Sequence, residues 1–274
     1  MLFMKSISLF IFLISLIINP AYNQILTLTN ARSTSLANAT AALNDDVWTA
    51  LNNPAGIRGI QKHALGVSIL RPFFLKGLNQ ATLAYVQPLP KIHSAALSLS
   101  TIHFGDYANN LIASTYAFTI YNKFHFATRL NLHQLSITNY LNTKTVFLDI
   151  GFQTPISEKL YFGAVVRNIN QAHVINENNN VLPTTLSVGT TYRPSDKVLL
   201  TADIQKTSSF DASYRLGIEY LPIEYFKIRI GASNAPITFN VGIGYIYKKL
   251  SFDIATQHHE LLGFSPIFSV GYGF

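Results

Sequence analysis

The sequence has no cysteine, and it is poor in charged residues. Without cysteine it can form no disulfide framework, and it offers no thiol for lipid attachment near its N terminus. Asp, Glu, Lys and Arg make up only 12% of the chain, whereas 49% of it is hydrophobic. A soluble domain usually has about 25% charged residues, roughly twice this share. The composition therefore argues against an ordinary soluble domain.

Long apolar runs are also missing after the N-terminal stretch. No later segment approaches the roughly eighteen consecutive apolar residues that a membrane-spanning helix needs. A membrane barrel needs no such run, because only alternate residues of its strands face lipid. The sequence thus favours a transmembrane β-barrel. A soluble secreted β-sandwich is the alternative, and it leaves the sparse charge unexplained.

The N terminus has the order of a secretory signal peptide. Lys5 precedes an apolar run over residues 7–18, and Asn19 and Pro20 then break any helix. This run is short for a bilayer-spanning helix. We predict a signal peptide over residues 1–23, cleaved after Asn23, and a location in the outer membrane of a Gram-negative cell. An uncleaved N-terminal anchor is the alternative.

Familiar catalytic and metal-binding motifs are absent. The chain has no G-x-S-x-G, H-E-x-x-H, phosphate-binding loop or EF-hand loop. His258, His259 and Glu260 are adjacent, but neighbouring residues of an extended chain point to opposite sides, so they make a poor metal site. We predict a non-enzymatic protein with no catalytic residue, no metal and no cofactor.

The net charge of +7 is spread over single residues, and no basic cluster is longer than Lys248-Lys249. Scattered charge does not predict a nucleic-acid partner. For an exported protein, contact with outer-membrane lipid and lipopolysaccharide accounts for this charge without a nucleic-acid partner. Solvation of the charges alone is simpler still, and we favour it as the reason for the charge.

Residues 62–274 alternate between apolar and polar side chains with period two, the pattern of strands with one apolar face. In "PITFNVGIGYIY", for example, Ile237, Phe239 and Val241 share one face. The pattern predicts an all-β fold, a transmembrane antiparallel barrel of about fourteen strands. They are expected near residues 63–71, 79–87, 92–102, 111–121, 123–137, 144–153, 159–169, 184–192, 197–206, 212–221, 225–233, 236–247, 249–257 and 265–274.

The connections between these strands are expected to differ at the two ends of the barrel. "PLPKI", "YNK" and "YKK" are short, whereas "HFGDYANN", "NQAHVINENNNVLP" and "QHHELLGFS" are longer and more polar. Short turns at one end and longer loops at the other are typical of outer-membrane barrels. The final strand ends in Phe274, and such barrels commonly end on an aromatic residue.

If the apolar faces point to lipid, the charged residues of the strands point into the lumen. Such charges are tolerated inside a barrel, where water or a counter-charge is available. Because acids and bases are interleaved, we favour a mixed-sign lumen that binds its own plug over an anion path through it. The predicted lumen residues are Arg129, Asp149, Asp203, Arg215, Glu219, Lys227, Arg229 and Asp253, with His125 and His133 beside them.

A fourteen-strand barrel is too wide for its own side chains to fill, so residues 24–61 are expected to form an N-terminal hatch inside it. Asn44 or Asp45 is the expected cap of a short helix through Trp48 to Leu51, which the following Asn-Pro ends. The predicted hatch motif consists of Asp45, Asp46, Trp48, Asn53, Pro54, Ala55 and Gly56.

The segment "SLANATAALNDDVWTALNNPAGI" resembles the N-terminal signature of FadL-like outer-membrane proteins, and especially that of the PorV and PorQ group of Bacteroidota. Asn53 to Gly56 is the most specific part, and "LYFGAVVRNINQ" and the C-terminal strands extend the likeness. The resemblance implies a fourteen-stranded barrel with an N-terminal hatch.

The resemblance also implies two kinds of work. PorV and PorQ serve type IX protein secretion and surface attachment, through secretion-system subunits or secreted cargo. FadL relatives instead pass small hydrophobic compounds, and a FadL-like channel with such a ligand is the alternative. This chain departs from PorV in its modest outer loops, where the family contacts cargo. An exposed apolar patch at Leu261, Leu262 and Phe264 would favour secretion.

Overall fold

A computed structural model describes residues 29–175, 180–208 and 210–274 of the chain. The predicted signal peptide and the first residues of the predicted hatch, 1–28, lie outside the described residues. In the part of the chain that the structure describes, no helix has the length and apolar character needed to cross a membrane.

Fourteen antiparallel strands close into a barrel, which confirms the predicted fold class and strand number. Two further strands, β8 (His173–Ile175) and β9 (Asn180–Val181), form a small separate sheet. The barrel strands are β1 (Ala64–Leu70), β2 (Asn79–Pro88), β3 (His93–Phe104), β4 (Tyr107–Ile120), β5 (Phe124–Ile137), β6 (Leu141–Pro155), β7 (Leu160–Arg167), β10 (Thr185–Ser195), β11 (Val198–Thr207), β12 (Ser213–Ile223), β13 (Phe226–Asn234), β14 (Ile237–Tyr247), β15 (Leu250–His259) and β16 (Gly263–Gly273).

Each strand pairs with its neighbours along the chain, except that β7 pairs with β10 and β1 closes the barrel on β16. Leu65 of β1 lies opposite Tyr272 of β16. Next to this ladder, the amide of Phe274 donates to the carbonyl of His63 over 2.9 Å. We call this end of the barrel, where β1 begins and β16 ends, the terminal rim, and the other end the opposite rim.

The alternation of side chains decides which face of each strand points inward. In β14, Phe239 is 63% exposed whereas the next residue, Asn240, is only 1% exposed. The same alternation of exposed and buried positions runs through the other long strands. Exposed apolar residues therefore form the outer surface, and many buried inward positions are polar, as expected of a barrel that faces lipid.

The connections at the opposite rim are mostly shorter than the sequence predicts. Strand β3 continues through Phe104 and β4 begins at Tyr107, which leaves only Gly105 and Asp106 of "HFGDYANN" as a turn. The polar residues His103, Asn109 and Asn110 of this stretch belong to strands, and Asn109 points inward, where the wall of the barrel is itself polar. Asn109 is 4% exposed. Polarity therefore does not mark a loop here.

From residue 29 to the start of β1 the structure has three short helices, and the capping differs from the prediction. An α-helix, α1, spans Ala31–Ser35, and two 3-10 helices span Val47–Ala50 and Pro54–Gly59. The expected cap at Asn44 or Asp45 is wrong, because Asp46 takes this place and accepts from the Trp48 amide over 2.9 Å.

Candidate functional site

Residues 29–60, here called the N-terminal segment, lie against the inner wall of the barrel. At one side the amide of Ala31 donates to Oγ of Ser269 in β16 over 2.8 Å. At another, Arg58 donates to Oγ of Ser94 in β3 over 2.6 Å. Most of the segment is buried, including Trp48 at 2% exposure. Its wall partners lie mainly in the half of the barrel near the terminal rim.

Both polar atoms of the Asn53 side chain form hydrogen bonds, and its amide nitrogen binds the segment to the wall. Its Nδ2 donates to the carbonyls of Ala41, Phe152 and Ala164 over 2.6, 3.0 and 3.2 Å. Its Oδ1 accepts from the Ala55 amide and caps the second 3-10 helix. One side chain thus joins two parts of the segment to β6 and β7.

Gly56 lies at a close approach within the segment. A Cβ atom at this position would come within 2.6 Å of the Leu43 carbonyl oxygen, so a larger residue requires the backbone to move. That carbonyl also accepts from Gln153 Nε2 over 2.9 Å. With Pro54 and Ala55 buried beside it, the motif Asn53 to Gly56 forms a tight contact with β6.

Arg32 is the centre of a charged network between the segment and the wall. Its guanidinium contacts Asp45 and Asp46 of the segment, each at 2.7 Å, and Glu219 of β12 at 2.9 Å. Glu219 also pairs with Arg229 at 2.6 Å. The network continues to Asp253, 2.6 Å from Arg229, and to Lys227, 3.7 Å from Glu219.

The two neighbouring acids of this network respond differently to their surroundings. Burial would raise the pKa of Asp45, but Arg32 and then Arg193 hold it well below its ordinary value. Burial raises the pKa of Asp46, and the adjacent charge of Asp45 adds to this effect despite Arg32. Asp45 is therefore the firmer anionic partner of Arg32, and Asp46 accepts a proton more readily.

A second group of charges lies on β5 and β6. Arg129 donates to the carbonyls of Ala50 and Leu51 over 2.8 and 2.9 Å. It also pairs with Asp149, whose Oδ2 is 2.7 Å from Arg129 Nη2. Oδ1 of Asp149 accepts from the amide of Asn168 over 2.9 Å. A continuous hydrogen-bonded path thus joins the N-terminal segment to the connection that follows β7.

The connection that follows β7 completes the wall beside the part of β6 near the opposite rim. The register between β6 and β7 covers only Ile150–Pro155 of β6. Closer to the opposite rim, the amide of Ile169 donates to the Leu148 carbonyl over 2.9 Å. Asn168 is fully buried, and its Nδ2 donates to the Leu182 carbonyl over 2.7 Å. Single backbone and side-chain hydrogen bonds rather than a strand ladder therefore hold this part of the wall.

The structure places the predicted lumen residues on the inner wall in separate groups. Asp203 stands apart from both networks and accepts from the amides of Thr40 and Ala41 over 2.7 and 2.9 Å. Arg215 contacts Ser213 Oγ at 3.4 Å. The structure joins Glu219, Lys227, Arg229 and Asp253 in one group and Arg129 and Asp149 in another.

Sequence reasoning missed an apolar cluster on the inner wall. Leu111, Leu135 and Phe147 of β4, β5 and β6 are buried in one cluster with Trp48 and Leu51 of the N-terminal segment. Partly buried Ile102, Tyr107 and Leu141 extend this cluster toward the opposite rim. The signal was a break in alternation, since Phe147 stands between Val146 and Leu148 in an unbroken apolar run.

The paired histidines of β15 do not form a metal site with the neighbouring acid. The His258 ring packs on Phe264, with ring centroids 4.6 Å apart, and the His259 ring lies edge-on to Phe73 at 6.4 Å. Throughout the described ranges, no group of three or more His, Cys, Asp or Glu side chains is arranged to hold a metal ion.

No protein-family model matches the chain, and no curated protein matches it. Solved structures do share its fold. A CymD monoaromatic hydrocarbon channel is 13% identical with a TM-score of 0.69, covering 93% of this chain and 99% of the channel. The Ralstonia pickettii toluene transporter TbuX is 12% identical with a TM-score of 0.68, covering 91% and 99%.

A Pseudomonas aeruginosa FadL homologue is 10% identical with a TM-score of 0.69, covering 92% of this chain and 99% of the homologue. At such low identities the likeness establishes the fold. The chain has the FadL-like fold of outer-membrane barrels, matched over almost the full length of each of these proteins.

Proposed function

We propose that the protein is a non-enzymatic outer-membrane channel for small hydrophobic compounds. The observation that carries this proposal is the apolar cluster on the inner wall of β3 to β6. Support also comes from the full-length likeness to a monoaromatic hydrocarbon channel and a toluene transporter. The predicted cleavage of residues 1–23 and delivery to the outer membrane form part of the same proposal.

An apolar cluster of this size is unusual in a barrel in which many other inward positions are polar. A water-filled channel has a polar lining, which solvates ions and small polar solutes. Binding sites for small organic molecules are instead lined mostly by apolar side chains. Here Leu135 and Phe147 lie between the opposite rim and the N-terminal segment, in contact with the cluster of Trp48. A hydrophobic compound that enters from the opposite rim would meet apolar contacts as far as the segment.

The N-terminal segment acts in this proposal as the hatch of the channel. It binds the wall through the charged network of Arg32 and Glu219 and through Asn53, and it blocks the half of the lumen near the terminal rim. In this proposal the described part of the predicted hatch, residues 29–61, forms the plug, and the motif Asp45 to Gly56 holds it in place. The interleaved lumen charges bind the plug rather than attract anions.

The single tryptophan provides a direct test, because Trp48 is the only one in the chain and belongs to the apolar cluster. We expect toluene to change the Trp48 emission of the purified protein in a saturable way. Leu135→Ser, which places a hydroxyl group in the cluster, should weaken this binding. Leu130→Ser is the matched control, because Leu130 lies on the same strand but faces outward with 50% exposure.

The proposal also predicts that proteoliposomes with the wild-type protein take up toluene faster than empty liposomes, and that Leu135→Ser slows uptake. Equal effects of the two serine variants would contradict a role of the inner wall. A wild-type protein that neither binds nor passes toluene or a medium-chain fatty acid would contradict the channel function altogether.

A second candidate function is protein secretion or surface attachment in the manner of PorV and PorQ. One observation favours it: Leu261, Leu262 and Phe264 at the opposite rim are 86%, 55% and 51% exposed. An exposed apolar patch of this kind suits a protein partner. An affinity pull-down of the tagged protein from its native outer membrane should then recover secretion-system subunits or secreted cargo.

A further inference from the structure

The basic residues of the barrel turns are concentrated at one end. Six turns form the terminal rim, and five of them carry a lysine: residues 89–92, 121–123, 156–159, 196–197 and 248–249. Glu158 and Asp196 stand beside the lysines of two of these turns, and the sixth turn, 224–225, carries Glu224 instead. Lys62, just before β1, adds another exposed basic residue to this end.

The opposite rim has a different distribution of charge. Of its seven connections, only 71–78 contains basic residues, Arg71 and Lys76. Three other connections carry an acid without a compensating base in the described residues, at Asp106, Asp211 and Glu260. The chain therefore places an excess of positive charge at the terminal rim, although its sequence shows no basic cluster.

The lysines of the terminal rim encircle the barrel. Successive turns follow one another around a closed barrel, so the lysines form a ring around the rim. No turn acid offsets their charge from 248–249 through Lys62 to 121–123, whereas Glu158, Asp196 and Glu224 offset it in the remaining turns. A folded protein partner would contact one arc of such a ring. A membrane leaflet surrounds the whole barrel and contacts all of it.

Aromatic residues mark the level of the ring relative to the membrane. Tyr121, Tyr225 and Tyr247 are 85%, 52% and 53% exposed at the same rim. Exposed aromatic rings of membrane barrels lie at the level of the lipid headgroups. Two ring lysines rest on such aromatics, with Lys123 Nζ 4.9 Å from the Phe124 ring centre and Lys248 Nζ 5.3 Å from that of Tyr247.

We infer that the lysine ring of the terminal rim binds the anionic headgroups of phospholipids in the adjoining membrane leaflet. Lysine ammonium groups beside an aromatic girdle lie where lipid phosphates lie, and anionic lipids attract basic residues close to the membrane surface. In barrels of this kind the shorter turns face the periplasm, so the leaflet is the inner one. The inference does not depend on the transported compound.

The test uses the full-length mature protein in nanodiscs made from equal parts of phosphatidylglycerol and phosphatidylcholine. Native mass spectrometry then counts the lipids that stay bound. We expect several-fold more phosphatidylglycerol than phosphatidylcholine on the wild-type protein, with the excess falling as salt is raised. The ring variant replaces one lysine in each of four turns: Lys91→Gln, Lys123→Gln, Lys197→Gln and Lys248→Gln.

The matched control removes the same amount of charge from the other end, with Arg71→Gln, Lys76→Gln, Lys144→Gln and Lys206→Gln. We expect the ring variant to lose the excess of phosphatidylglycerol and the control to keep it. Equal losses would show that only net charge matters, and no excess on the wild-type protein would also overturn the inference.

Two further measurements keep the test decisive. If the ring variant does not fold, photo-crosslinking of the wild-type protein with a phosphatidylglycerol probe should label the turns of the terminal rim, and labelling confined to the opposite rim would overturn the inference. A third outcome concerns peptidoglycan. If the wild-type protein but not the ring variant sediments with it, and neither prefers phosphatidylglycerol, the ring binds an anionic cell-wall polymer and the lipid inference is overturned.

Discussion

The two sides of the contact between the N-terminal segment and the barrel differ in chemistry. Toward β12 to β16 the contact contains the ion pair of Arg32 with Glu219, beside a small apolar contact of Ala31 with Ala255 and Ile267. Toward β2 to β6 it is mostly apolar, with Trp48 and Leu51 in the inner cluster. Arg129 and Asp149 are the charged pair on that side.

This difference suggests that the two sides of the contact have different roles. Buried ion pairs need exact partners, and losing one partner leaves an uncompensated charge, so the ionic side holds the segment in a single position. Apolar contacts are less directional, and an apolar ligand can replace them at little cost. We therefore expect the ionic side to anchor the segment and, in the proposed channel, a hydrophobic compound to compete with the segment on the apolar side.

Removal of the whole segment should have the largest effect. We expect deletion of residues 25–60 to leave a folded barrel, because the ladder of fourteen strands is continuous without them. Inward charges such as Glu219 and Asp203 would then be hydrated by water in the lumen. Conductance in planar bilayers should rise clearly above that of the intact protein. Unchanged conductance would mean that something else closes the lumen.

Arg32→Ala should release the anchored side. Glu219, Asp45 and Asp46 would lose their shared counter-charge, at a cost of about 3–5 kcal/mol if this side is the anchor. Hydrogen exchange of the segment amides should report this as a lower free energy of local opening. If the amides near Ala31 exchange as slowly in this variant as in the wild-type protein, the Arg32 network is not what holds the segment.

Leu51→Ala should have a smaller effect on the apolar side. The lost side chain is fully buried, and we expect a cost of about 2 kcal/mol, since the segment can shift to fill part of the space. Protection near Arg32 should stay high while toluene binding, read from Trp48, changes. If the same variant loosened the ionic side as well, the two sides would act as one unit.

Arg193→Ala should have the smallest effect, although Arg193 also contacts Asp45, at 3.1 Å. Both side chains are partly exposed, and such pairs contribute about 0–1 kcal/mol. Opening of the segment measured by hydrogen exchange should therefore be nearly unchanged. If the free energy of opening fell as far as in Arg32→Ala, the exposed pair of Arg193 and Asp45 would be what holds the segment.

The barrel followed readily from the sequence, whereas the contacts of its interior did not. Alternation fixes which residues of β14 face lipid, because a strand repeats every two residues. Nothing local shows that Asp46 rather than Asn44 or Asp45 is the cap, since Asp46 both accepts from the Trp48 amide and pairs with the distant Arg32. Likewise, the inward position of Phe147 depends on the register of β6 with β5.

The hydrogen bond between Ala31 and Ser269 joins residues 238 positions apart, so the first part of the segment is bound by the last strand of the chain. This partner is in place only once β16 has closed on β1. Contacts between such distant residues form slowly, because a long stretch of chain must be ordered beforehand. We therefore expect enclosure of the segment to be a late step of folding.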